Sequence, residues 1–183
     1  MAVVGSGPYA LSLAAHLRFR GINHRVFGPV VHFWRSMSKG LNLKSLGFAT
    51  NICVPQPGQS FPEWCHRRGL EDLEPCSMES YAAYGLEIQQ RFAPDLEPEE
   101  VVMVRSAGEH RFEITLSNGD VAHARNVVSA TNLSGLAYTP DALDGISEQL
   151  THSSALRLQP FCRQERCGYR RRCVYNRIRC TSA

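Results

Sequence analysis

The residues from Ala2 to Ala10 limit the possible folds of this chain more than any other stretch. Ala2-Val3-Val4 is a short apolar run, and Gly5-Ser6-Gly7-Pro8-Tyr9-Ala10 follows it directly. This reads as a strand, a glycine turn and the start of a helix. Gly5 permits the tight turn, and Gly7 has no side chain to obstruct a phosphate approaching the backbone. Pro8 falls in the first helical turn, where a missing N–H does little harm. Ala10 stands where G-x-G-x-x-G has its third glycine and is small enough for close helix–strand packing. The first N–H groups of such a helix point outward and, with the helix dipole, favour an anion. Alone, the pattern serves NAD, FAD or the plain packing of an α/β protein.

The next residues extend the unit. Pro8 to Arg20 reads as a helix whose Leu11, Ala14, Ala15 and Leu17 form a small-residue face suited to a sheet. Gly21 fits its C-terminal end, and Arg25-Val26-Phe27 reads as a second, parallel strand. One expected part is absent. The second strand of a dinucleotide fold normally ends near an Asp or Glu for a ribose hydroxyl, whereas Phe27-Gly28 stands here.

Composition narrows the class. With 183 residues and 43% hydrophobic content the chain can bury one sizeable core. It has no apolar run of membrane-spanning length and no signal-peptide pattern at Met1, so a cytoplasmic protein without a membrane partner is expected. The formal net charge of +3 is unevenly placed: residues 162–183 hold seven arginines and one glutamate, which leaves residues 1–161 at −3. Four of the seven cysteines, Cys162, Cys167, Cys173 and Cys180, lie in the same tail. No Cys-x-x-Cys occurs, and the cysteine spacings match no zinc template, so no metal is expected.

Further along, a short helix is expected around Pro62 to Arg68. A longer one is expected over Glu79 to Phe92, where Tyr81, Tyr84, Ile88 and Phe92 recur at helical spacing and Ser77 is placed to cap. Val101 to Val104, Phe112 to Leu116, Val121 to Ala124 and Asn126 to Ala130 are four β-patterned runs, and Asn118-Gly119 marks a hairpin turn.

Several of these segments together resemble the flavin-dependent monooxygenases built on two dinucleotide-binding domains, in particular bacterial urate-hydroxylase-like and N-hydroxylating-like members. The resemblance rests on the glycine turn and on Phe27-Gly28, Phe33-Trp34 and Lys44-Ser45-x-Gly47-Phe48-Ala49. It continues through Tyr81-x-x-Tyr84-Gly85, the β-meander and Ala130-Thr131, where Asn132 replaces the usual glycine. Asn132 tolerates positive φ better than most residues. Leu-Ala-Tyr138-Thr-Pro140 and Leu150-Thr-His152-Ser-Ser154 resemble the connector toward a second domain. His152-Ser153-Ser154 has no G-x-S-x-G elbow beside it and is not read as a hydrolase site.

The resemblance implies an α/β fold: a Rossmann-like, three-layer FAD-binding domain with an inserted antiparallel β-meander, incomplete relative to the family. It implies FAD as cofactor, NADPH as its reductant and O₂ as the source of an oxygen atom given to a small-molecule substrate. Gly5, Gly7, Pro8 and Ala10 would approach the FAD diphosphate. Phe27, Trp34 and Lys44 would line the adenosine-to-flavin side, while Val101, Ala130 and Thr131 would back the cofactor. No side chain is nominated as catalytic, because in such enzymes the protein mainly holds cofactor and substrate and excludes water.

The expected organisation is a partial FAD-binding domain with connector over 1–161 and an Arg/Cys-rich, unstructured tail over 162–183. Where the family carries a second glycine turn for NADPH, this tail has none. Codons exist for it such that removing one base after the Phe161 codon yields Ala-Gly-Lys-Asn-Val-Ala-Val-Ile-Gly-Ala-Gly-Ala-Ser-Thr-Ile-Glu-Phe-Ala-Ala-Leu, which is a strand, a G-x-G turn and a small-residue helix. The tail is therefore expected to be out of frame. Sequencing the gene through this point tests that, and the absence of such a continuation refutes it. On this reading the chain holds FAD poorly, lacks an NADPH site and does not turn over. The alternative is a non-catalytic dinucleotide-binding fragment whose basic tail binds an acidic partner, although no nucleic-acid-binding fold accompanies it and nucleic acid is not expected. A disulfide-reductase type of flavoprotein would require a redox cysteine pair, and no such motif occurs in 1–161.

Overall fold

The computed structural model describes residues 1–37, 40–70, 75–109, 111–132, 138, 140 and 141. The connector motif around His152 and the tail 162–183, including both readings of it, lie outside the described residues.

Strand β1 (Ala2–Val4) leads through the glycine turn into helix α1 (Pro8–Phe19) and then strand β2 (Arg25–Phe27). Gly21 ends α1 with φ +65°, the left-handed geometry that glycine adopts without strain. Short helix α2 (His32–Ser36) follows, then a 3₁₀ turn at Gly47–Ala49 and helices α3 (Phe61–Arg67) and α4 (Met78–Phe92). The chain continues into strands β3 (Val101–Ser106), β4 (Phe112–Leu116) and β5 (Val121–Ala124), and returns as β6 (Val127–Ser129).

Two sheets result. β2, β1 and β6 form a parallel sheet with β1 in the centre, pairing Val3 with Val26 on one side and with Val128 on the other. β3, β4 and β5 form an antiparallel meander, with the Asn118-Gly119 turn joining β4 to β5. The fourth β-patterned run thus belongs to the parallel sheet and not to the meander.

Both faces of the parallel sheet are covered, which is why its strands read as almost continuously apolar. Side chains alternate along a strand. Val3 and Val26 accordingly join Leu11, Ala14, Ala15, Tyr84 and Ile88 on the helical side. Ala2 and Phe27 join Ile114, Leu116 and Ala122 on the meander side, with Val101 and Val127 packed against them. The layers are helices, parallel sheet and meander. The outer edge of β2 is closed by Glu97, whose N–H donates to the Val26 carbonyl at 2.9 Å.

The helical layer is held by an aromatic cluster. Tyr84 is fully buried; its hydroxyl donates to the Gln59 carbonyl at 2.7 Å and accepts from the Ile52 N–H at 3.2 Å. Phe61 and Trp64 lie within 6 Å of its ring, and the Trp64 indole N–H donates to the Glu87 carboxylate at 2.8 Å. The paired partners explain how these polar groups are buried at little cost.

Candidate nucleotide site

The glycine turn lies at the carboxyl end of β1, between β2 and β6. Ligands of open α/β sheets bind outside the strands' carboxyl ends, where the order of connection reverses. Here the first crossover carries β1 to β2 on one side, while β6 enters much later on the other. The turn is tied to both neighbours. Gly5 N–H donates to the Phe27 carbonyl, and Ala130 N–H donates to the Val4 carbonyl, each at 2.8 Å.

Gly5 is required twice. Its φ is +115°, and a Cβ there would fall 2.4 Å from the Ala130 carbonyl oxygen. The return of β6 therefore lands its Ala130-Thr131 backbone directly on the first glycine. Gly28 has a similar cause. Its φ is +127°, and a Cβ would lie 3.3 Å from the hydroxyl oxygen of Ser6. Ser6 is buried, and its hydroxyl donates to the Pro29 carbonyl at 2.5 Å. The glycine found where an acidic residue is usual is thus explained by the chain crossing over Ser6.

Gly7 differs from both. It is extended at φ −79°, and a Cβ there would make only ordinary contact, 3.5 Å from the Trp34 ring. Among the described residues nothing demands glycine at this position; what the missing side chain provides is an open approach to the backbone. α1 starts at this residue with Pro8 in its first turn, no side-chain cap and no acidic first-turn residue. Its leading N–H groups are the ones a helix cannot satisfy internally. An open backbone, uncapped donors and no competing carboxylate form a cradle that fits a diphosphate.

The nominated residues fall into four sets. Gly5, Gly7, Pro8, Ala130 and Thr131 meet at the turn, with Trp34 against Gly7. Ala10 is fully buried, where its small side chain lets α1 lie close to the sheet. Phe27 and Val101 contribute differently from their nomination. The Phe27 ring, 1% exposed, packs in the layer beneath the meander under the Arg25 guanidinium, so its offering to the turn is its carbonyl. Val101 packs in that same layer, opposite Leu116 in the meander. Lys44 is exposed on the segment between α2 and the 3₁₀ turn.

Sequence reasoning passed over Ser6 and Val31. Ser6 is legible only as the middle of G-x-G. Val31 is buried at φ +42°, the one non-glycine residue with positive φ among those described.

Burial pushes the thiols of Cys65 and Cys76 up, the latter to about 12, which leaves them protonated. Tyr81 is likewise pushed up, chiefly by burial. Among the described residues no three His, Cys, Asp or Glu side chains are grouped to hold a metal, and no helix is long and apolar enough to cross a membrane.

No protein-family model matches the sequence, and no curated protein matches it. Solved structures do. A flavin-containing monooxygenase from Stenotrophomonas maltophilia is 25% identical with a TM-score of 0.60, over 76% of this chain and 40% of that one. The bacillithiol disulfide reductase of Staphylococcus aureus is 20% identical with a TM-score of 0.63, over 78% of this chain and 42% of its own. OTEMO, solved in complex with FAD and NADP, is 19% identical with a TM-score of 0.56, over 76% of this chain and 26% of that one. The chain carries part of a flavoprotein fold. It spans less than half the length of each of these proteins. A flavin-containing monooxygenase and a disulfide reductase share the fold, so it does not by itself assign a subgroup.

Proposed function

We propose that this chain is the FAD-binding portion of an NAD(P)H-dependent flavoprotein oxidoreductase, of the monooxygenase kind. The observation that carries the reading is the turn itself: Gly5 held beneath Ala130, Gly7 open to its surroundings, and α1 beginning uncapped at the carboxyl end of β1. The likeness to a flavin-containing monooxygenase at 25% identity supports it.

FAD, when bound, would supply the redox centre, reducible by NADPH and reactive toward oxygen. The chain's own residues bind and orient. Gly7 and the first turn of α1 receive the diphosphate, Ala130 and Thr131 close the turn from the β6 side, and Trp34 walls it from α2. Ser6 and Gly28 keep the two strand ends together so that the turn does not open. No described residue is assigned to NADPH, and the chain alone is proposed to bind FAD, poorly, without oxidising NADPH. Substrate choice belongs to the whole flavoprotein, and the substrate is expected to be a small molecule.

Titrating FAD with purified chain and following flavin fluorescence tests the proposal. Saturable quenching is expected. An unchanged flavin signal at protein concentrations well above those of FAD would overturn it.

A further inference from the structure

Two residues of the helical layer are each locally unfavourable, and each accounts for the other. Val31 is β-branched, 1% exposed and held at φ +42°, ψ +32°. A bulky residue in the left-handed region is a strained outlier that persists only where its surroundings enforce it. Gly85 sits in the interior of α4, where glycine is disfavoured relative to alanine. A Cβ at Gly85 would fall 2.8 Å from Val31 Cγ1. The glycine is a notch in α4, and the valine side chain occupies it.

The strained residue turns the chain into α2. Val31 N–H donates to the Ser6 carbonyl at 3.2 Å, which fixes this corner to the glycine turn, and Arg35 N–H donates to the Val31 carbonyl at 3.1 Å. Three residues after Val31, Trp34 places its ring against Gly7. The same ring meets Tyr81 edge-on, with centroids 5.6 Å apart. Tyr81 and Gly85 are four residues apart and therefore share one face of α4. One helix face thus seats both ends of the corner, Val31 in the notch and Trp34 on the tyrosine.

We infer that Val31 and Gly85 are positioning residues, which act through α2 to set the Trp34 ring against Gly7. The link to nucleotide binding rests on the FAD reading; the placement of Trp34 does not. The test labels the chain with 5-fluorotryptophan, giving one fluorine resonance each for Trp34 and Trp64, with Trp34 assigned through Trp34→Phe. Gly85→Ala displaces Val31, so the Trp34 resonance shifts or broadens while that of Trp64 stays in place. FAD binding weakens about tenfold, the loss of roughly one aromatic contact. Val31→Ala in the same chain makes room for the new methyl group, so Val31→Ala/Gly85→Ala regains the wild-type Trp34 resonance and most of the affinity. If Gly85→Ala does not fold, Val31→Ala alone decides the matter, because emptying the notch broadens the Trp34 resonance without adding bulk. An unmoved Trp34 resonance in Gly85→Ala and in Val31→Ala would overturn the inference. So would a double variant no better than Gly85→Ala. Wild-type chain that binds no FAD would refute the nucleotide reading, while the fluorine spectra would still decide the positioning.

Discussion

Helices α1 and α4 pack on one another and begin in opposite ways. α4 starts from Ser77, whose hydroxyl oxygen accepts the Ser80 N–H at 3.0 Å, with Glu79 in the first turn. α3 goes further: Ser60 and Glu63 cap each other reciprocally, and the Ser60 N–H donates to the Glu63 carboxylate at 2.9 Å. α1 starts from Gly7, with no cap and no acidic residue. A cap contributes about 1 kcal/mol to a helix, so its omission where α3 and α4 use one is costly on local grounds. On the proposed FAD reading, the difference separates helix starts that serve stability from one whose first N–H groups are left for a ligand.

The largest effect expected from breaking that contrast is at Gly5. Gly5→Ala puts a methyl group onto the Ala130 carbonyl in a backbone region that alanine resists. The loss should be about 3 kcal/mol or more, or the fold itself, read by urea unfolding. Gly7→Ser should behave otherwise. The extended backbone accepts it, and serine caps α1, so stability changes by only a few tenths of a kcal/mol. FAD affinity should nevertheless fall by about tenfold or more as the side chain enters the open approach. Ser77→Ala is the converse, costing about 1 kcal/mol of stability and leaving FAD binding unchanged.

The smallest effect concerns pH. The Ser60 side-chain hydrogen bond, with the Ser60 backbone N–H, holds the Glu63 carboxyl below its ordinary range. Its charged form is therefore favoured in the folded chain. That contribution is complete above the ordinary carboxylate range and is lost as the pH falls through it. The stability gap between wild type and Ser60→Ala should accordingly narrow on acidification, measured as unfolding midpoints at pH 7 and pH 3.

The parts legible in the sequence are those written locally. The β1–α1–β2 unit, the hairpin at Asn118-Gly119 and α4 with its Ser77 cap follow from periodicity and turn chemistry within a few residues. α2 was not legible, because its five residues begin from a left-handed valine that no propensity favours and only a distant glycine permits. Gly28 read as a departure from the dinucleotide pattern, and its reason, Ser6, lies 22 residues earlier. Phe27 and Val101 read as cofactor neighbours through the family resemblance alone. Side-chain alternation along β2 turns the Phe27 ring to the meander side, and Val101 joins the same layer from β3, a placement that depends on which faces the two sheets turn to each other. Gly85 carried a usable signal, since a glycine inside an otherwise well-patterned helix marks a close approach.

On the proposed reading, Gly7 is glycine for a ligand and not for the protein. The ratio of FAD dissociation constants between Gly7→Ser and wild type, measured beside their unfolding midpoints, tests it most directly. Affinity should fall by about tenfold or more at nearly unchanged stability. Equal affinity for FAD in the two proteins would contradict it.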